Sequence, residues 1–185
     1  MAHRVCPWWI GYFLASPIRR LIHNPSTILG PFVASGMTVL ELGPGMGFFT
    51  LELARLVGPT GHVIAVDVQP RMLKALRRRA EKARLIDRID IRQAPAEGMG
   101  VEDINGKVDF VLAFAVVHEV PDEARFFREA TTALRRGCKL LLSEPAAHVT
   151  EKKFAATLQT AERCGLRMLS RLDIRSSHSV VLLKT

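Results

Sequence analysis

From Gly36 onward, short runs of apolar residues alternate with longer stretches in which apolar positions recur every three or four residues. The short runs predict strands and the longer stretches predict amphipathic helices. Strands fall over residues 38–42, 62–67, 88–92, 108–114 and 138–143, followed by two candidates over 166–174 and 178–183. Arg175-Ser176-Ser177 separates the last two, which suits an antiparallel pair. Asn24-Pro25 predicts the start of a helix over 25–34, broken by Ser35-Gly36. A second helix covers 48–57, ended by Gly58-Pro59, and Pro70 opens a third whose Met72, Leu73, Leu76, Ala80 and Ala83 share one face. Asp122 caps a helix that Gly137 stops after Arg136, and the last helix covers 151–164. This alternation predicts an α/β fold, an open and mostly parallel sheet with helices on both faces.

In such a sheet, ligands bind beyond the carboxyl ends of the strands, where the turn Gly43-Pro44-Gly45-Met46-Gly47 follows the first strand. Three glycines let a ligand approach the backbone, and the helix that follows offers free N–H groups to a carboxylate. The spacing departs from a dinucleotide fingerprint, because Phe48 stands where the third glycine belongs. Glu41, two residues before Gly43, opposes a pyrophosphate but suits the ammonium of a methionine moiety. Asp67, at the end of the second strand, can accept hydrogen bonds from both hydroxyls of a ribose.

The run Val39-Leu40-Glu41-Leu42-Gly43-Pro44-Gly45-Met46-Gly47, followed by Val63-Ile64-Ala65-Val66-Asp67, resembles the first two motifs of class I S-adenosylmethionine-dependent methyltransferases. The resemblance covers residues 36–185. It implies a Rossmann-like sheet of seven strands in the order 3-2-1-4-5-7-6, with S-adenosyl-L-methionine as cofactor and S-adenosyl-L-homocysteine as product. Carried onto this sequence, it gives Glu41, Gly43, Pro44, Gly45, Gly47, Asp67, Val68, Gln93, Ala94 and Phe114 as cofactor-binding positions. Related enzymes often place an acid after the third strand to meet the adenine amino group. Here Gln93 stands in that stretch, and the Ala94 N–H is a second candidate for the ring.

Methyl transfer is an in-line displacement, so the protein contributes alignment, exclusion of water and, where the acceptor must lose a proton, a base. His118 and Glu119 are the candidates for that base, in the run Val116-Val117-His118-Glu119-Val120-Pro121-Asp122, which is similar to one in small-molecule methyltransferases of the broad type 11 group. His118 has an alternative role as the residue that fixes its loop. Glu144 and His148, after the fifth strand, are placed to meet the acceptor, as are Trp8, Trp9 and Tyr12 in the aromatic N-terminal segment. That segment can pack on the core, close over the acceptor, join two copies as a homodimer or rest on a membrane surface beside Arg19-Arg20.

The chain's 185 residues fit one methyltransferase domain, with an N-terminal cap over 1–35 and a cofactor core over 36–185. Its net charge of +8 owes much to basic residues of the helix after Pro70, a solvated face before it is a nucleic-acid surface. The aromatic segment is too short to span a bilayer and lacks the marks of a secretory signal. Cys6, Cys138 and Cys164 are odd in number and widely spaced, so neither a disulfide framework nor a metal site is indicated, and a cytoplasmic setting is expected. Cys138 is expected to be buried in its strand. The residues after the fourth strand lack the Pro-Pro-aromatic run of nucleic-acid amino methylases, so a small-molecule acceptor leads, with RNA, lipid or quinone, and metalloid acceptors behind it. The competing class is a non-catalytic regulatory or assembly protein that keeps the cofactor site.

Overall fold

The computed structural model describes residues 23–185. Its seven strands, β1 (Thr38–Leu42), β2 (His62–Asp67), β3 (Ile89–Gln93), β4 (Val108–Phe114), β5 (Leu134–Pro145), β6 (Leu166–Ile174) and β7 (Ser177–Lys184), form one sheet in the order β3-β2-β1-β4-β5-β7-β6. All neighbours run parallel except β7, which lies antiparallel between β5 and β6. The expected strand order and the antiparallel final pair are both present.

Five helices flank the sheet among the described residues: α1 (Pro25–Leu29), α2 (Thr50–Leu56), α3 (Pro70–Lys82), α4 (Glu123–Ala133) and α5 (Glu151–Arg163). Side chains alternate across each strand, so one core takes Leu40, Val111, Leu140 and Val180 beneath Phe126, Phe127, Phe154 and Leu158 of α4 and α5. The other takes Val39, Val63, Phe110 and Val181 beneath Leu29, Leu53, Leu73 and Leu76 of α1 to α3. Burying each large apolar side chain contributes about 1.5–3 kcal/mol. Burial on both faces explains why the strands read as continuous apolar runs.

Several boundaries differ from the sequence reading, three helix ends among them. Helix α1 ends at Leu29 rather than reaching Ala34, because Pro31 has no N–H for the Thr27 carbonyl. Helix α2 starts at Thr50, two residues late, since Gly47 at φ 83° keeps the chain in a turn. Helix α4 stops at Ala133, short of Arg136, and Leu134 already pairs with Val108 as the first residue of β5. The register slips before Phe110 meets Lys139, and Gly137 at φ 79° lets the extra residues bulge. Asp109 secures the bulge by pairing with Arg135 and accepting from the Thr38 N–H at 2.8 Å. Cys138 is consequently half-buried rather than buried, because it lies in the bulge and not in the closed sheet.

Candidate functional site

The carboxyl ends of β1 and β4 lie side by side where the order reverses, since β1 leads to β2 on one side and β4 to β5 on the other. The glycine turn leaves β1 there, with its Gly43 N–H donating to the Val66 carbonyl at 2.9 Å. Gly43, Gly45 and Gly47 all have positive φ, at 73°, 55° and 83°. A Cβ at Gly43 would lie 2.7 Å from Val116 Cγ2, and one at Gly47 would lie 2.4 Å from Leu76 Cδ1. At Gly45 a Cβ would meet no atom within 4 Å, so this glycine faces open space. Two of the glycines therefore serve packing, and the middle one leaves room for a ligand.

Two acidic residues of the cofactor reading flank the turn, Glu41 in sequence and Asp67 in space. Glu41 is buried at 3% exposure near the end of β1. Asp67 ends β2, where Oδ2 accepts from the Gly45 N–H at 3.1 Å and Oδ1 from the Gln69 N–H at 2.9 Å. Burial pushes the Asp67 carboxyl above its usual range, against the pull of the Gln69, Gly45 and Val68 N–H groups. Each oxygen retains a further lone pair that suits a ribose hydroxyl. Val68 is 56% exposed, an apolar surface beside Asp67 of the kind a flat base can cover. Gln93 is exposed at the end of β3, whereas the Ala94 N–H donates to the Asp67 carbonyl at 3.0 Å. That donor serves the β2–β3 edge, which corrects its assignment to the adenine ring. Open space at Gly45, an acid at each strand end and an exposed apolar residue fit S-adenosylmethionine.

Phe114 closes β4 and is buried against Phe49, with ring centroids 4.5 Å apart, and against His23 at 5.3 Å. Ala115 then takes φ 57°, a left-handed conformation unusual for a residue with a Cβ, and a short turn over Val117–Glu119 carries His118 and Glu119. Glu144, 2% exposed in β5, holds this loop. Its Oε1 accepts from the N–H groups of Val116 at 3.1 Å and Val117 at 2.9 Å. Its Oε2 accepts from the His118 N–H at 3.3 Å and pairs closely with His118 Nδ1. This hydrogen bond, above all, raises the His118 pKa, with further support from the charges of Glu144 and Glu119, while burial and Lys153 oppose it.

His118 Nε2 lies 3.8 Å from Glu119 Oε1, and the exposed His148 ring is nearly parallel to that of His118 with centroids 5.8 Å apart. The structure thus brings His118, Glu119, Glu144 and His148 together. Trp8, Trp9 and Tyr12 lie outside the described residues. Sequence reasoning placed Glu144 near the acceptor but missed its grip on the His118 loop, and it read Arg79 as one more residue of a solvated basic face. Arg79 instead donates to the Met46 carbonyl of the glycine turn. Among the described residues, no helix is long and apolar enough to cross a membrane.

Residues 34–172 match the methyltransferase-domain family, to which the chain belongs. Its fold is that of the class I S-adenosylmethionine-dependent enzymes. A methyltransferase of that kind from Aquifex aeolicus superposes with a TM-score of 0.87 at 22% identity, covering 98% of this chain and all of that one. An O-methyltransferase from Thermotoga maritima superposes with a TM-score of 0.66 at 21% identity, over 100% of this chain and 68% of that one. By sequence the chain is 34% identical over 112 residues to an arsenite methyltransferase from Halobacterium salinarum, covering 60% of this chain and 28% of that protein. It is 32% identical over 112 residues to the ubiquinone/menaquinone biosynthesis C-methyltransferase of Pasteurella multocida, covering 60% of this chain and 41% of that one. The chain therefore spans less than half the length of either curated relative.

Proposed function

We propose that this protein transfers a methyl group from S-adenosylmethionine to a small-molecule acceptor that gives up a proton in the reaction. The observation that carries the reading is the contact of two loops: Val116, two residues before His118, fills the space that a side chain at Gly43 would need. The glycine turn, with Glu41 and Asp67, and the histidine loop are therefore the two walls of one site. When bound, S-adenosylmethionine supplies an electrophilic methyl carbon on a sulfonium. Glu41 meets the ammonium of the methionine part, Asp67 the ribose hydroxyls, and Val68 with Gln93 the base. His118 donates Nδ1–H to Glu144, which leaves the Nε2 lone pair to take a proton from the acceptor. Glu144 acts through His118 as a positioning residue, and Glu119 and His148 complete the acceptor side.

The names of the two relatives suggest a metalloid or a quinone-type acceptor. The described cysteines do not favour thiolate capture of a metalloid. Cys164, at the end of α5, donates to the Ala124 carbonyl in the first turn of α4. Cys138 lies roughly 20 Å along β5 from Glu144, near the other end of the strand. An organic acceptor with an ionisable O–H, N–H or activated C–H agrees better with a histidine backed by a carboxylate.

A transfer screen with labelled methyl donor against phenols, quinols, amines, thiols, arsenite and RNA tests the proposal. Labelled product from an organic acceptor, reduced at least a hundredfold in kcat by His118→Gln, is the expected result. Methylation of arsenite or RNA alone would overturn the acceptor class. Calorimetry showing tight NAD binding and no response to S-adenosylmethionine would overturn the cofactor.

A further inference from the structure

The basic residues of α3 do not all serve the solvent. Arg71, Lys74, Arg77, Arg78 and Lys82 are exposed, but Arg79, in the last turn, points its guanidinium at the glycine turn. Its Nη1 donates to the Met46 carbonyl at 2.5 Å, across 33 residues of sequence. One helical turn earlier, Leu76, fully buried, occupies the space beside Gly47. Helix α3 thus touches the turn twice, through an apolar contact at Gly47 and a charged hydrogen bond at Met46.

The turn is held from three sides. Within it, the Gly47 N–H donates to the Pro44 carbonyl at 2.9 Å. From β2, Asp67 accepts from the Gly45 N–H. From α3, Arg79 fixes the Met46 carbonyl, and with it the plane of the peptide joining Met46 to Gly47. Gly45 alone looks onto open space, so these anchors shape the backbone that a ligand meets there. A hydrogen bond from a charged donor is about twice as strong as a neutral one, and this one bears on a segment whose glycines otherwise leave it conformationally free.

We infer that Arg79 is a positioning residue for the cofactor: it preorganises the glycine turn and so sets the affinity for S-adenosylmethionine without touching the acceptor. The inference rests on the reading that this turn holds S-adenosylmethionine. An unorganised turn must be ordered on binding, and that cost appears as a weaker Kd. Acceptor binding and turnover at saturating cofactor are untouched.

Calorimetric titration of S-adenosylmethionine and S-adenosylhomocysteine into the full chain and its Arg79→Met, Arg79→Lys and Arg78→Met variants tests this. Arg79→Met is expected to bind both ligands at least tenfold more weakly. Arg79→Lys, which keeps a charged donor, recovers part of the loss, and Arg78→Met on the exposed side matches wild type. Should Arg79→Met prove too unstable to titrate, Arg79→Gln carries the same comparison. A lower Tm with both Kd values within twofold of wild type would make Arg79 a structural residue only and overturn the inference. Failure of the wild-type chain itself to bind either ligand would instead overturn the function proposed above.

Discussion

At the scale of single residues, the His118–Glu144 pair makes the sharpest demand, because one hydrogen bond both fixes a tautomer and shifts a titration. The raised His118 pKa means that the free base forms at a higher pH than for an ordinary histidine. Turnover should therefore rise with pH along a limb centred above the usual histidine value, and Glu144→Gln should move that limb to lower pH as well as lowering kcat. A pH profile of kcat/KM checks both, and a limb that stays in place in Glu144→Gln would separate the pair. For stability the sign runs the other way. A folded-state pKa above the unfolded one stabilises fully below the ordinary histidine value, and the contribution disappears as pH rises through the raised one. Urea titrations across that window should show wild type losing stability relative to His118→Gln with rising pH. Asp67 has a different task. Asp67→Asn replaces one acceptor with an amide NH2 facing a backbone N–H, so binding of S-adenosylmethionine should weaken about tenfold, by about 1.4 kcal/mol.

At the scale of elements, the three glycines of one turn should respond differently to the same methyl group. Gly45→Ala puts its Cβ into open space, so the chain should fold with a small loss of Tm, from the positive φ, and lose cofactor affinity. Gly47→Ala puts its Cβ against Leu76 and should cost about 1–3 kcal/mol of stability, read by urea titration. Equal stability losses in the two variants would contradict the division of labour. The same division shows what the sequence made legible. Local signals read true: Asn24 and Asp122 do cap α1 and α4, with Ser26 N–H to Asn24 Oδ1 at 3.1 Å and Arg125 N–H to Asp122 Oδ1 at 2.8 Å. The strand order followed from motif resemblance, and the glycine turn from spacing alone. What stayed hidden depends on partners distant in sequence. The bulge of β5 answers to Val108 and Asp109, the grip of Glu144 reaches back 26 residues to His118, and Arg79 reaches 33 residues to Met46. Arginine on a basic helix looks like a surface residue, and glutamate after a strand like an acceptor contact, until those partners are known.

At the scale of the whole molecule, both walls of the proposed site stand on the central strands β1 and β4, which are buried between two helical layers. Both loops are anchored to the buried sheet, so a ligand that bridges them as proposed would tie the chain together. The glycine turn links α3, β1 and β2, while Glu144 links β4 to β5. A ligand held as proposed, between Glu41, Asp67 and the histidine loop, would therefore stabilise five neighbouring elements at once. Since a ligand that binds only the folded chain stabilises it by RT ln(1 + [L]/Kd), a hundredfold excess over Kd adds about 2.7 kcal/mol. For a chain of this length that is a rise in Tm of roughly 5–10 °C. S-adenosylmethionine and S-adenosylhomocysteine should both produce it in a thermal melt, NAD should not, and Asp67→Asn should need about ten times more ligand for the same shift. An equal rise with NAD would mean that the turn answers to adenosine alone, and Glu41 would lose its part in choosing the ligand.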